Sequence, residues 1–183
     1  PHQWDIEKLG MKTSSFTVTK LQFNVPTDEA KFTIPENVRQ QFAAQKLTKM
    51  DDLPLGNPRK PATEIAPNVI KIPSSWDVAI IKQTDGIVII EAPISSGYSV
   101  KVLEEAKRRF PNSKIKAVIT TSDAFPHIGG IREYAAQDIP IFALDVNRPI
   151  LERVMNAPRT LEPDSLQKKP RKPNFKVVSS KTL

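Results

Sequence analysis

The stretch that decides the fold is AVITTSDAFPHIGG, residues 117–130. It opens with apolar residues typical of a buried strand, passes through a polar turn, and ends in two glycines that precede the helical pattern IREYAAQ. In open α/β sheets, residues at the carboxyl end of a strand, where it leads into a helix, face the crevice in which ligands bind. We therefore expect the functional site to lie in this loop.

The loop resembles the metal-binding loop of the metallo-β-lactamase superfamily, whose pattern is T-H-x-H-x-D-H-x-G-G followed by a helix. When the glycines are aligned, Thr121 matches the first residue of the pattern and His127 matches its last histidine. The three other ligand positions fall on Ser122, Ala124 and Pro126. None of these is a usual zinc ligand, because zinc is held by imidazole nitrogen, thiolate or carboxylate oxygen.

The resemblance leaves two candidate metal ligands, His127 and the nearby carboxylate of Asp123, and it assigns no catalytic residue. A zinc site needs three or four protein ligands. We therefore expect zinc, the metal of the superfamily, to be absent or weakly bound in this chain. His127 is then expected to hold the turn, while Gly129 and Gly130 let the start of the next helix approach closely.

The flanking segments follow the order of the same family. Upstream, DGIVIIEAP (residues 85–93) resembles the family's strand that ends in an acidic residue, with Glu91 where an aspartate is more usual. Apolar spacing predicts further elements, namely a helix over residues 98–110, a strand over 115–119, a strand over 140–144 and a helix over 147–156. The first strand, helix and second strand form a βαβ unit, which implies a parallel pair.

The resemblance covers residues 65–163 and implies an α/β fold. It is the αβ/βα sandwich of the superfamily, mainly its first half, with an N-terminal extension, as if the family's fold were truncated at the C-terminus. We divide the chain into an N-terminal strand and proline-rich arm (1–64), the body (65–163) and a basic C-terminal tail (164–183). Half a sandwich would expose an apolar sheet face, which soluble monomers avoid. We therefore expect a homo-oligomer, a body covered by its own arm, or an unstable body.

The distribution of proline limits where helices and strands can form. Ten of the 17 prolines lie in residues 25–67 and 157–173, so continuous helices or central strands are not expected there. Shorter elements are predicted by apolar patterns, namely strands over residues 16–23, 65–72, 78–81 and 174–179 and a helix over 33–42.

No apolar run is long enough to span a membrane, and the absence of cysteine excludes disulfides and thiolate chemistry. The compartment stays undetermined. Because the chain begins at Pro1, we expect a processed product or a cut piece.

The net charge of +7 is confined to the second half of the chain. Residues 93–183 contain 16 Lys/Arg against 9 Asp/Glu, with clusters at residues 107–109 and 168–172. Such clusters are typical of nucleic-acid contacts, but they are also typical of solvated helix faces and tails. No aromatic stacking motif accompanies them, so nucleic acid is not expected to be the partner, and any small-molecule substrate is unknown.

These observations favour a metallo-β-lactamase-fold protein that is related to zinc-dependent hydrolases but catalytically impaired, with a binding or structural role. One alternative is an active metallohydrolase whose zinc site around Asp123 and His127 is rearranged or completed by another subunit. A second alternative is a basic nucleic-acid-binding module. The sequence leaves open whether the protein is an enzyme.

Overall fold

The computed structural model describes residues 2–44 and 49–179. These residues form two compact units, one before residue 47 and one after it. Within the described ranges, no helix combines the length and the apolar character that crossing a bilayer requires.

The first unit begins with a two-stranded antiparallel hairpin of β1 (His2–Lys8) and β2 (Met11–Val18). The turn residues Leu9 and Gly10 both have positive φ angles, 54° and 74°, which is the geometry of a tight hairpin turn. Trp4 stacks on Phe16 across the hairpin with ring centroids 5.9 Å apart. The predicted strand over residues 16–23 was therefore misplaced, because Phe16 and Val18 end a strand that starts at Met11.

The remainder of the first unit is a single turn of 3₁₀ helix (Glu29–Phe32) and helix α1 (Glu36–Ala44). The predicted helix over residues 33–42 is thus present, shifted towards its C-terminal end. Ile34, Val38 and Phe42 share the four-residue spacing that predicted it, and all three side chains are exposed. The spacing therefore identified the helix correctly, although these side chains are not part of a core.

The second unit is built on a seven-stranded sheet in the order β3-β4-β5-β6-β7-β8-β9. The strands are β3 (Thr63–Ala66), β4 (Val69–Ile72), β5 (Val78–Gln83), β6 (Gly86–Ile90), β7 (Ile115–Ile119), β8 (Ile141–Leu144) and β9 (Phe175–Val178). Pairing is antiparallel from β3 to β6 and parallel from β6 to β9. The predicted α/β class and the parallel pair of the βαβ unit are confirmed.

The hairpin between β5 and β6 turns at residues 84–85, where Gln83 pairs with Gly86. Gly86 has a φ angle of +153°, a conformation that is essentially restricted to glycine. A Cβ atom there would lie 2.8 Å from the carbonyl oxygen of Lys114. The two turn residues are thus Thr84 and Asp85, and the glycine that follows them allows the segment leading into β7 to approach.

Five helices accompany the sheet: α2 (Ser96–Arg109), α3 (Phe125–Ile128), α4 (Ile131–Ala136), α5 (Arg148–Asn156) and α6 (Ser165–Lys168). Alternate residues of the central strands, such as Ile80, Ile89 and Val118, are fully buried in one core with Tyr98 of α2 and Tyr134 of α4. Burying each large apolar side chain contributes about 1.5–3 kcal/mol. This core holds helices α2 and α4 against one face of the sheet.

The opposite sheet face is also apolar. Ile81, Ile90, Ile119, Phe142 and Leu144 alternate with the core residues, lie outside the core cluster and are partly accessible. Runs of consecutive apolar residues are typical of strands covered on both faces. In the part of the chain that the structure describes, the dense core lies on one face only.

The segment before β3 packs on helix α2. The Asp51 carboxylate accepts a hydrogen bond from the backbone N–H of Gly97 at 2.9 Å, and the Lys101 ammonium donates to the carbonyl oxygens of Asp51 and Leu53 at 2.7 Å each. The backbone N–H of Gly56 donates to the Tyr98 hydroxyl at 3.0 Å. Part of the predicted arm is thus tied to the body, while the predicted domain boundaries stay a prediction.

Candidate functional site

Glu91 follows β6 directly and is the centre of the site. Its backbone N–H donates to the Ile119 carbonyl at 2.8 Å, and its φ angle is +74°, which is rare for a side chain of this size. One carboxylate oxygen accepts hydrogen bonds from the backbone N–H of Thr121, at 3.2 Å, and from the Thr121 hydroxyl. The other oxygen lies 3.1 Å from Nδ1 of His127. A buried carboxylate therefore joins the ends of β6 and β7 to helix α3.

The loop after β7 turns into α3 with an extended Ala124 at the helix N-cap (φ −68°, ψ 139°). Pro126 occupies the first turn of this short helix, where a missing N–H is tolerated. A residue that precedes proline is usually extended. Phe125 is nevertheless helical, and the extended residue is the N-cap, Ala124, before it.

Backbone hydrogen bonds fasten α3 to the segment after Glu91. The N–H of Ala92 donates to the carbonyl of His127 at 3.0 Å, and the N–H of Gly130 donates to the carbonyl of Ala92 at 2.8 Å. A Cβ atom at Gly129 would collide with the backbone carbonyl of Ile94. The predicted close approach through the glycines is confirmed, since no larger residue fits this contact unchanged.

His127 is held by its ring as well as by its backbone. Its side chain is about one-third exposed (34%), whereas that of Glu91 is 9% exposed. When Nδ1 carries the proton, it donates to the Glu91 carboxylate and leaves Nε2 as the acceptor. Chemically, the pair can fix the orientation of one imidazole and offer one ring nitrogen for accepting a proton.

The residues of this loop do not fit a zinc centre. The Ser122 hydroxyl accepts a hydrogen bond from the N–H of Ala124 at 3.1 Å and so belongs to the turn. Within residues 2–44 and 49–179, no group of three or more His, Cys, Asp or Glu side chains is placed to hold a metal ion. The hydrogen bond shown for the His127 ring goes to Glu91 rather than to Asp123. His127 and Asp123 remain predicted metal ligands.

A second polar cluster surrounds the buried guanidinium of Arg132. Nothing in the sequence indicated that Arg132 is buried or belongs to such a cluster. Its side chain is 3% exposed and forms two hydrogen bonds with the Asp164 carboxylate, at 2.6 and 3.1 Å. It also donates to the carbonyls of Val154, Met155 and Ala157 at 2.9, 2.5 and 3.1 Å. Arg132 thereby caps the carbonyl end of α5, and Asp164 caps α6 by accepting from the Gln167 N–H at 2.8 Å.

The environment of Asp164 favours its charged form. Burial by itself raises the pKa of this carboxyl. The hydrogen bond from Arg132, the backbone N–H of Gln167 and the positive charge of Arg132 together outweigh burial, so the pKa lies below its ordinary value of 3.8. The cluster is thus an anionic cap held by a buried cation.

Glu91 was also missed as a site residue, although it was noted as the acidic end of a strand. The available signal was a carboxylate directly after four apolar residues, IVII, in a position where a strand leads out of the sheet. What the pattern did not contain was its partner, because Thr121 and His127 lie 30 and 36 residues away in sequence.

No protein-family model matches the sequence, and no curated protein does. Solved structures with a similar fold include a metallo-β-lactamase from Hirschia baltica (21% identity, TM-score 0.44), which matches over 52% of this chain and 49% of its own. They also include one from Pontibacter korlensis (15%, TM-score 0.44; 52% and 47%). A third is the DIM-1 metallo-β-lactamase exposed to ceftazidime (10%, TM-score 0.46; 65% and 51%).

The chain spans about half the length of these solved structures. At identities of 21% or less and TM-scores of 0.46 or less, no statement about activity follows from these likenesses. The mixed α/β fold is shown by the sheet and helices described above.

Proposed function

We propose that residues 63–178 are a metallo-β-lactamase-like domain in which a hydrogen-bonded cluster of Glu91, Thr121 and His127 stands where relatives would hold a metal. In this proposal the domain serves binding or structure and does not carry out zinc-dependent hydrolysis. The loop is then a rigid connection between the sheet and helix α3.

The observation that supports this proposal is the contact of the Glu91 carboxylate with Nδ1 of His127 at 3.1 Å. The same carboxylate accepts hydrogen bonds from the N–H and the hydroxyl of Thr121. Both oxygens of this nearly buried group are thus engaged in joining three segments of backbone. In this proposal the contact gives His127 a structural role, because it ties the imidazole ring to the end of β6.

The chemistry of the neighbouring positions points the same way. A zinc-activated water needs a metal held by at least three protein ligands with one open position. Ser122 has a neutral hydroxyl, Ala124 has no donor and Pro126 lacks even a backbone N–H. The rival function, an active metallohydrolase, therefore requires ligands from another subunit or a rearranged loop.

Metal content separates the two functions. The purified, tag-free chain is dialysed against trace zinc and analysed by mass spectrometry for metal, with the His127→Ala variant alongside. We expect no stoichiometric zinc in either protein. One zinc per chain in the wild type and none in His127→Ala would contradict the proposal and favour the hydrolase.

A matched control tests whether Asp123 takes part. Asp123→Ala removes the second predicted ligand and leaves the Glu91–His127 contact in place. We expect this variant to equal the wild type in metal content and in melting temperature, and we expect His127→Ala to melt at a lower temperature. Equal loss of bound zinc in the two variants would instead support the metal site predicted from the sequence.

A further inference from the structure

Strand β9 is the last strand of the sheet, so one of its edges is unpaired among the described strands. The carbonyl of Asn174 accepts from the N–H of Ile141 in β8. Backbone groups of alternate residues in a strand point to opposite sides. Those of Phe175 and Val177 therefore point away from β8. Such an edge is a template for another strand.

A groove opens beside this edge. It has a volume of about 380 Å³ and lies between helix α5 and the segment that enters β9. Met155 and Phe175 provide its apolar lining, and Arg148 and Lys172 provide its cationic groups. Phe175 belongs to both the groove and the edge strand, so a strand added to β9 would place side chains next to the groove.

The segment that contains β9 is positively charged, and one of its cations, Arg171, is paired with Asp138 at 3.6 Å. Residues 165–179 contain five Lys/Arg and no Asp/Glu. The one carboxylate that lines the groove, Glu152, is already paired with Arg148 at 2.7 Å. A ligand that approaches the edge therefore meets a positive field, which attracts anionic groups and raises the rate of association.

From these three features we propose that the β9 edge and the adjoining groove bind an extended acidic peptide segment of a partner protein. The peptide pairs its backbone with Phe175 and Val177, inserts one apolar side chain between Met155 and Phe175, and directs carboxylates at Lys172 and its basic neighbours. This is strand addition with charge selection. The site is separate from the Glu91 cluster and does not depend on the function proposed for it.

The same features argue against two other occupants. A second copy of the chain pairing through β9 would bring two segments of like charge together, which is unfavourable in paired strands. A nucleic acid would use the cations, but it lacks the regular row of backbone N–H and C=O groups that pairs with a strand edge. The acidic peptide satisfies the donors, the acceptors, the groove and the charges together.

Binding is tested with the full chain and a fluorescein-labelled short peptide that alternates glutamate and valine around a central phenylalanine. Fluorescence anisotropy is expected to show saturable binding. Val177→Pro removes an N–H that points away from β8 and is expected to weaken binding about tenfold. The matched control Val177→Ala keeps the N–H and is expected to bind as the wild type does. Lys172→Glu is expected to weaken binding about fivefold.

Hydrogen exchange provides a measurement that needs no variant. The amides of Phe175 and Val177 are expected to exchange more slowly when the peptide is added, while an amide of the first unit, such as that of Phe32, is unchanged. Binding without protection of these two amides would overturn strand addition. An oligodeoxynucleotide that binds more tightly than the peptide, or self-association that Val177→Pro abolishes, would overturn the choice of occupant.

Discussion

At the scale of single residues, Glu91 is a buried carboxylate. One of its oxygens accepts a hydrogen bond from Thr121, and the other contacts Nδ1 of His127. Replacing Glu91 with Gln removes the charge and one acceptor, and it adds an N–H₂ group that either faces the donors of Thr121 or requires the other tautomer of His127. We predict that Glu91→Gln lowers the free energy of unfolding by about 1–2 kcal/mol. Urea denaturation is the measurement, and Glu104→Gln on the exposed face of α2 is the control. Equal stability of the two variants would contradict the role given to Glu91.

Arg132 is the second residue on which stability is expected to depend. Arg132→Met keeps most of the side-chain volume but leaves the Asp164 carboxylate without its cation and frees three carbonyl groups at the end of α5. Removing one partner of a buried ion pair costs about 3 kcal/mol or more. Arg148→Met breaks an exposed pair with Glu152 and is expected to cost at most about 0.5 kcal/mol. Urea unfolding of both variants checks the contrast, and similar losses would refute it.

The pKa of Asp164 gives this cluster a pH dependence. Because the pKa in the folded state lies below the ordinary value of 3.8, its contribution to stability is present above the unfolded pKa and is lost as the pH falls through the folded pKa. We predict that Asp164→Asn is less stable than the wild type at neutral pH and that the difference shrinks below about pH 4. Denaturation midpoints at neutral pH and in acid measure this. A difference independent of pH would count against the ion pair.

At the scale of elements, the junction of α3 and α4 depends on the absence of side chains at two glycines. A methyl group at Gly129 meets the carbonyl of Ile94, and Ile94 itself has a positive φ angle of 70°, so its backbone has little freedom to move. We predict that Gly129→Ala lowers the free energy of unfolding by about 2 kcal/mol. Thermal unfolding is the measurement, with Asp123→Ala in the same loop as the control. A tolerated alanine would show that the α3–α4 junction can move away from Ile94 at no cost.

At the scale of the whole molecule, the sheet of the second unit has an apolar face outside the core, with Ile119 and Phe142 paired side by side on adjacent strands. Contiguous apolar patches of this kind favour association. We predict that the chain self-associates in sedimentation velocity experiments and that Phe142→Glu reduces this association. Val146→Glu, at an exposed position outside the sheet, is the control. A compact monomer at all concentrations would contradict the prediction.

The sequence by itself indicated most elements of the second unit, because their signals are local. It did not indicate helix α6, and it predicted one strand over residues 65–72 where the structure has β3 and β4. The spacing of Val102, Ala106 and Phe110 predicted α2, the apolar runs predicted the central strands, and the glycines after His127 predicted a close helix contact. Local periodicity and turn chemistry are properties of neighbouring residues. These local signals can therefore be recognised without any knowledge of the tertiary structure.

Only the tertiary structure decided how distant residues meet. It placed Glu91 against His127, Arg132 against Asp164, and β9 at the free edge of the sheet. These contacts join residues that are 36 and 32 apart in sequence. The residue type alone does not show whether a carboxylate binds a metal, caps a helix or holds a loop in place. Its role is set by burial and by the donors that the fold brings within hydrogen-bond distance.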